Sequence, residues 1–100
     1  MKWRLRMTPP VQATLRTLPP QTKGYIRQAC DDLCRDPWQG KSLRDELAGY
    51  YSLRAKRFRV VYEIQRQIVT VMVVGIGPRK TIYAALAAEM YLRHRTIHAA

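Results

Sequence analysis

Residues 50–83, YYSLRAKRFRVVYEIQRQIVTVMVVGIGPRKTIY, carry the reading that decides the fold. Two apolar runs, Phe58 to Gln65 and Ile68 to Ile76, have strand length and are rich in β-branched residues. Cations are set into this pattern, and a Gly-Pro-Arg-Lys exit (Gly77 to Lys80) leads to Tyr83. A guanidinium ordered within a sheet needs an anion, and the segment offers only Glu63. The missing anion is expected to be a phosphate.

Working outward, a third strand at Tyr50 to Arg54 precedes these two. Tight connections near Ala55 to Arg57 and Gln65 to Gln67 imply an antiparallel meander. Upstream, Trp38 to Gly49 lacks periodicity and reads as a loop. Before it, Ile26, Cys30, Leu33 and Cys34 form the apolar stripe of a helix that starts near Gln21 and is ended by Pro37. Val11, Leu15 and Leu18 mark a shorter helix opened by Pro9 and Pro10. Pro19 and Pro20 leave a short joint, so the two helices should form an antiparallel hairpin. Trp3, Leu5 and Met7 alternate with Lys2, Arg4 and Arg6, the period of a strand with one wet face. Downstream, Tyr83 to Arg93 is alanine-rich and helical, with Leu86 and Met90 able to dock. The expectation is one α+β domain over residues 1–93, order β-α-α-β-β-β-α, with a frayed tail at 94–100. Its antiparallel sheet would carry the helical hairpin on one face and leave the other face open.

The chain has 100 residues and a formal charge of +11, from 18 Lys+Arg against 7 Asp+Glu. That length suits one modest core, and that charge suits a polyanionic partner. Five acids (Asp31, Asp32, Asp36, Asp45, Glu46) fall in one middle stretch, so both flanks are strongly cationic. The first residues contain no continuous apolar run for export, and Ile68 to Ile76 is too short for a membrane helix. Cys30 and Cys34 stand four apart with no histidine nearby, so reduced core thiols are expected rather than a metal site.

Strand parity sorts the charge. Phe58, Val60, Tyr62 and Ile64 share the face that packs under the helices, and Arg59, Val61 and Glu63 share the other. Arg54 can project beside Arg59 from the neighbouring strand, and Arg79 leaves the end of the last one. Tyr83 follows Arg79 by about one helical turn. Three guanidiniums and a phenol around one concavity suit a phosphodiester with an unstacked base against the ring. Lys56 and Arg57 also fit ordinary hairpin-turn cations, and Arg59 also fits a pairing with Glu63.

The segment LRAKRFRVVYEI, followed by VTVMVVGIGPRKTIY and preceded by DPWQGKSLRDELAGYYSL, resembles the RelE/ParE superfamily of type II toxin–antitoxin toxins. The resemblance implies a small cytoplasmic bacterial toxin, silenced by a cognate antitoxin that also supplies operator DNA binding. RelE-like members cut messenger RNA on the ribosome, the 2′-hydroxyl attacking its own phosphate without metal or cofactor. Carried over, Arg59 would clamp the scissile phosphate, Arg79 would stabilise the transition state or assist the leaving group, and Tyr83 would stack on or orient the nucleotide. Arg54 joins these three as an expected catalytic residue, and Arg54, Lys56, Arg57 and Lys80 are expected to bind RNA. Arg54 and Ser52 stand where RelE-type enzymes place lysines. An arginine is a poor general base, His94 and His98 lie in the tail, and so Glu63 and Lys56 are the candidate bases. Two alternatives stay open: a ParE-type toxin that inhibits DNA gyrase without cutting RNA, and a degenerate toxin that only binds its antitoxin and operator.

Overall fold

A computed structural model describes the backbone of residues 2–99 and the side chains of residues 2–93. The expected tail side chains at 94–100 lie outside the described residues. The elements are β1 (Arg4–Met7), α1 (Pro9–Thr17), α2 (Pro20–Arg35), β2 (Lys41–Ser42), β3 (Tyr50–Ala55), β4 (Phe58–Gln65), β5 (Thr70–Pro78) and α3 (Arg79–Ala99). Short 3-10 turns at Pro37–Gln39, Asp45–Leu47 and Arg66–Ile68 fill the connections. The α+β class and the helical hairpin under the meander are as the sequence predicts.

The sheet order is β1-β5-β4-β3-β2, and three features of it differ from the expectation. First, the sheet is mixed, because β1 lies parallel to β5 with Leu5 opposite Val71. Its start is tied by the Trp3 N–H to the Cys34 carbonyl at 2.8 Å and the Arg4 N–H to the Val69 carbonyl at 2.9 Å, and its end by the Thr8 N–H to the Val73 carbonyl at 3.2 Å. Second, the predicted loop contains β2, whose Lys41 and Ser42 pair antiparallel with Ser52 and Tyr51. A strand of two residues shows no alternation, so only its pairing reveals it. Third, the second sheet face is not left open, because α3 starts at Arg79 rather than Tyr83 and folds back across it.

The larger core lies between the helical hairpin and the sheet. Val11 of α1 and Ile26, Cys30 and Leu33 of α2 meet Val60, Tyr62, Val71, Val73 and Ile76, all buried. Each such aliphatic side chain contributes about 1.5–3 kcal/mol by leaving water. Burial also pushes the free Cys30 thiol up to about 12 and raises Cys34. On the other face Val61, Leu47 and Leu86 form a smaller core, flanked by Ile82, Tyr83 and Met90.

A register shift makes that second core possible. Val61 pairs with Gly75 and Tyr62 with Val73, so Val74 is an extra residue in β5. Beyond this bulge the parity of β5 reverses, and Gly75 and Gly77 turn toward α3. A Cβ at Gly75 would stand 2.5 Å from Leu86 Cδ1, and one at Gly77 would stand 3.2 Å from Ile82. The missing side chains let α3 lie close to the strand it has just left. That proximity fixes where Arg79 and Tyr83 point. Among the described residues no helix is long and apolar enough to cross a membrane.

Candidate functional site

The part of the second face that α3 leaves uncovered is a cavity of about 370 Å³. Its walls include Arg54 of β3, Arg59 of β4, Arg79 and Tyr83 of α3, and Ser52. Arg54 and Arg59 are direct cross-strand partners, and Arg59 also faces Gly77, two residues before Arg79. Like charges opposed across a ladder destabilise a sheet. Arg79 and Lys80 add two cations to the first turn of α3, which holds no acid, at the end where the helix dipole disfavours positive charge. Folding stability does not account for this arrangement.

The guanidiniums also lack internal anions. Among the described residues the ion pair formed is Arg93–Glu89, far along α3. Arg59 makes none with Glu63, whose carboxylate accepts from the Gln65 amide at 2.6 Å. Arg54 Nε donates to the Lys56 carbonyl at 3.1 Å, which steadies it at the rim. Half-buried Tyr83 is fixed differently: its hydroxyl shares a 2.8 Å hydrogen bond with the buried hydroxyl of Ser52. The ring is therefore held in place while its hydroxyl is already engaged.

The remaining predicted residues lie elsewhere. Glu63 pairs with Tyr50 and Met72 at the far end of β4. It raises the Tyr50 phenol pKa there, second to burial. Lys56 turns to the helical side, 5.2 Å from the Tyr25 ring centroid. It and Arg57 line a separate concavity with Tyr25 and Phe58, to which Arg54 also belongs. Lys80 is exposed beside Arg79.

Sequence reasoning missed the opposite wall, made by Gln39, Gly40 and Lys41. Its anchor is Tyr62, which lies wholly buried in the middle of β4. The Tyr62 hydroxyl donates to the Pro37 carbonyl at 2.6 Å and accepts from the Gly40 N–H at 3.2 Å. A Cβ at Gly40 would overlap that hydroxyl and fall 3.0 Å from the Ser52 carbonyl, so only glycine lets the turn close onto β3. Lys41 follows directly, and a single lysine after a glycine carries no periodic signal.

The cavity therefore gathers three guanidiniums, with no acid paired to them among the described residues, beside an aromatic ring held through Ser52. Comparison with known proteins gives this arrangement its context. The family model described as the ParE toxin of type II toxin–antitoxin systems, parDE, matches residues 5–83. The chain is 35% identical over 85 residues to toxin RelG of Mycobacterium tuberculosis, spanning 83% of this chain and 98% of that toxin. In structure it is similar to the M. tuberculosis RelBE2 toxin–antitoxin complex, with TM-score 0.73, 32% identity, and coverage of 79% of this chain and 100% of that one. It also shares its fold with the isolated Escherichia coli RelE toxin, with TM-score 0.67, 19% identity, and coverage of 88% and 98%.

Proposed function

The chain belongs to the RelE/ParE family of toxins of type II toxin–antitoxin systems, and from that premise we propose that it is a ribosome-dependent mRNA endonuclease. The observation that carries this reading is the convergence of Arg54, Arg59 and Arg79, none paired with an acid among the described residues, on one cavity with Tyr83.

In the proposed reaction the ribose 2′-oxygen attacks the adjacent phosphorus and the P–O5′ bond breaks, leaving a 2′,3′-cyclic phosphate and a 5′-hydroxyl. Arg59, placed on β4 opposite Arg54 and Gly77, clamps the scissile phosphate. Arg79 faces the charge that develops on the phosphorane and the leaving oxygen, which a nearby cation stabilises. Tyr83, locked through Ser52, stacks on the nucleotide and supports in-line geometry. Arg54 at the rim, Lys56 and Arg57 in the adjoining concavity, and exposed Lys80 beside Arg79 hold flanking phosphates and the ribosome's RNA.

The toxin works in the cytoplasm, where a cognate antitoxin covers the cationic face with an acidic or amphipathic segment that folds on binding. Operator DNA is bound through the antitoxin. Ser52 at a position where RelE-type enzymes carry lysine, together with the ParE description of the matching family, favours a second reading: inhibition of DNA gyrase without RNA cleavage.

In vitro translation with purified protein, followed by mapping of mRNA 5′ ends, separates the two. Cleavage within A-site codons that requires ribosomes and is lost in Arg79→Ala is the expected result. Intact mRNA with normal translation would sink the nuclease and turn attention to gyrase supercoiling.

A further inference from the structure

The cavity has phosphate clamps but no assigned proton acceptor. We propose that Lys41 is that group, supplied from β2 in place of a lysine on β3. The inference rests on the nuclease reading above.

Two observations and a rule of sheet geometry carry it. Lys41 lines the cavity with Arg54, Arg59, Arg79 and Tyr83. It is the direct antiparallel partner of Ser52, the buried residue that holds Tyr83. Side chains directly opposite on antiparallel strands emerge on the same face with Cβ atoms about 4.5–5.5 Å apart. An amine on Lys41 therefore reaches the space that a lysine at residue 52 would fill, and the longer side chain leaves Ser52 free to fix the ring.

The competitors are placed out of reach or lack the chemistry. Glu63 lies four residues from Arg59, roughly 13 Å at about 3.3 Å per residue. Lys56 is turned to Tyr25 on the other face. Guanidiniums hold their protons near neutrality, and the Tyr83 hydroxyl is engaged with Ser52. Among the described residues lining this cavity, Lys41 alone carries an amine. The groups around it are Arg54 of β3, Arg59 of β4, Arg79 and Tyr83 of α3, and Gln39 on its own turn.

The step balances simply. The lone pair of the Lys41 amine takes the proton of the 2′-hydroxyl as that oxygen bonds to phosphorus. The P–O5′ bond breaks, the electron pair leaves on the 5′-oxygen, and water supplies its proton. The ammonium then returns its proton to solvent.

The test is single-turnover cleavage of mRNA on programmed ribosomes between pH 6 and 9, using wild type, Lys41→Met and Lys41→Arg. Lys41 is exposed, so both variants should fold, which circular dichroism checks. The wild-type rate should rise close to tenfold per pH unit across this range. Both variants should fall about 100-fold or more, the size of a lost acid–base group, and lose that rise. Lys41→Arg should still bind ribosomes as wild type does, because charge is kept. Tyr83→Phe should be slower yet keep the slope. A Lys41→Arg variant with wild-type rate and slope would overturn the proposal, since a fixed cation would then suffice. So would a slope that vanishes in Tyr83→Phe. Wild-type protein that cuts nothing would overturn the nuclease reading and this inference together.

Discussion

Tyr62→Phe removes one oxygen atom from the floor of the second wall and tests how that wall is held. In the native structure this hydroxyl serves two backbone groups, the Pro37 carbonyl at 2.6 Å and the Gly40 N–H at 3.2 Å. The ring itself stays put, stacked on Tyr51 with centroids 5.7 Å apart and wholly buried. Phenylalanine therefore fits without a clash and leaves both groups unpartnered. A buried group stripped of its hydrogen bond costs about 1–3 kcal/mol. The short bond to Pro37 sits within that range, and the longer one to Gly40 adds less, so about 2 kcal/mol is expected. For a domain of this size that corresponds to roughly 8–16 °C in Tm. In urea, with a slope of about 1–2 kcal/mol/M, the midpoint should move by about 1–2 M at unchanged slope. Cleavage should fall as well, because Gly40 and Lys41 lose their anchor while the guanidiniums remain. A midpoint shift below about 0.3 M at constant slope would refute the claim that Tyr62 fastens this turn.

Arg59→Ala should reduce mRNA cleavage by about 100–1000-fold, the usual loss for one electrostatic contact to a transition state. The same substitution should leave stability unchanged or raise it by up to about 0.5 kcal/mol, since it removes a like charge opposite Arg54; a clear loss in chemical denaturation would contradict this. Val69→Asn should stabilise the protein by about 1 kcal/mol, because a β-branched residue occupies the left-handed region there at φ 49°. An unchanged urea midpoint would count against strain at that turn. Alkaline pH should weaken the fold, since burial pushes Tyr62 from 10.0 and Cys30 from 9.0 each to about 12. The unfolded chain releases these protons first, so stability is full below about pH 9 and falls as pH rises toward 12, by about 1.4 kcal/mol per unit for each group. Cys30→Ala should flatten the decline between pH 9 and 10 in pH-dependent denaturation, and a decline that stays as steep would refute the assignment.

Much of this molecule was legible in one dimension. Alternation placed Val60 and Tyr62 under the helices and Arg59 on the opposite face, and period-3.6 stripes located α1 and α2. These are local consequences of backbone geometry, so each run of residues declares them by itself. The spacing of Arg54, Arg59, Arg79 and Tyr83 was equally readable, and the fold does gather them at one cavity.

What stayed hidden depends on pairings between distant segments. Nothing in Arg4–Met7 announces that it will lie parallel to β5, and nothing in Lys41–Ser42 announces a strand. The bulge opposite Val61 reverses the parity of β5 by one residue, which turns Gly75 and Gly77 toward α3 and closes a face that alternation alone leaves open. Lys41 enters the cavity through the same kind of event: Tyr62 fastens Gly40, and cross-strand register sets Lys41 against Ser52. The sequence determined which residues share a strand face or a helix stripe, because those periods are properties of the chain. Only tertiary structure decided which faces meet, because register and docking are settled by contacts whose partners lie far apart in sequence.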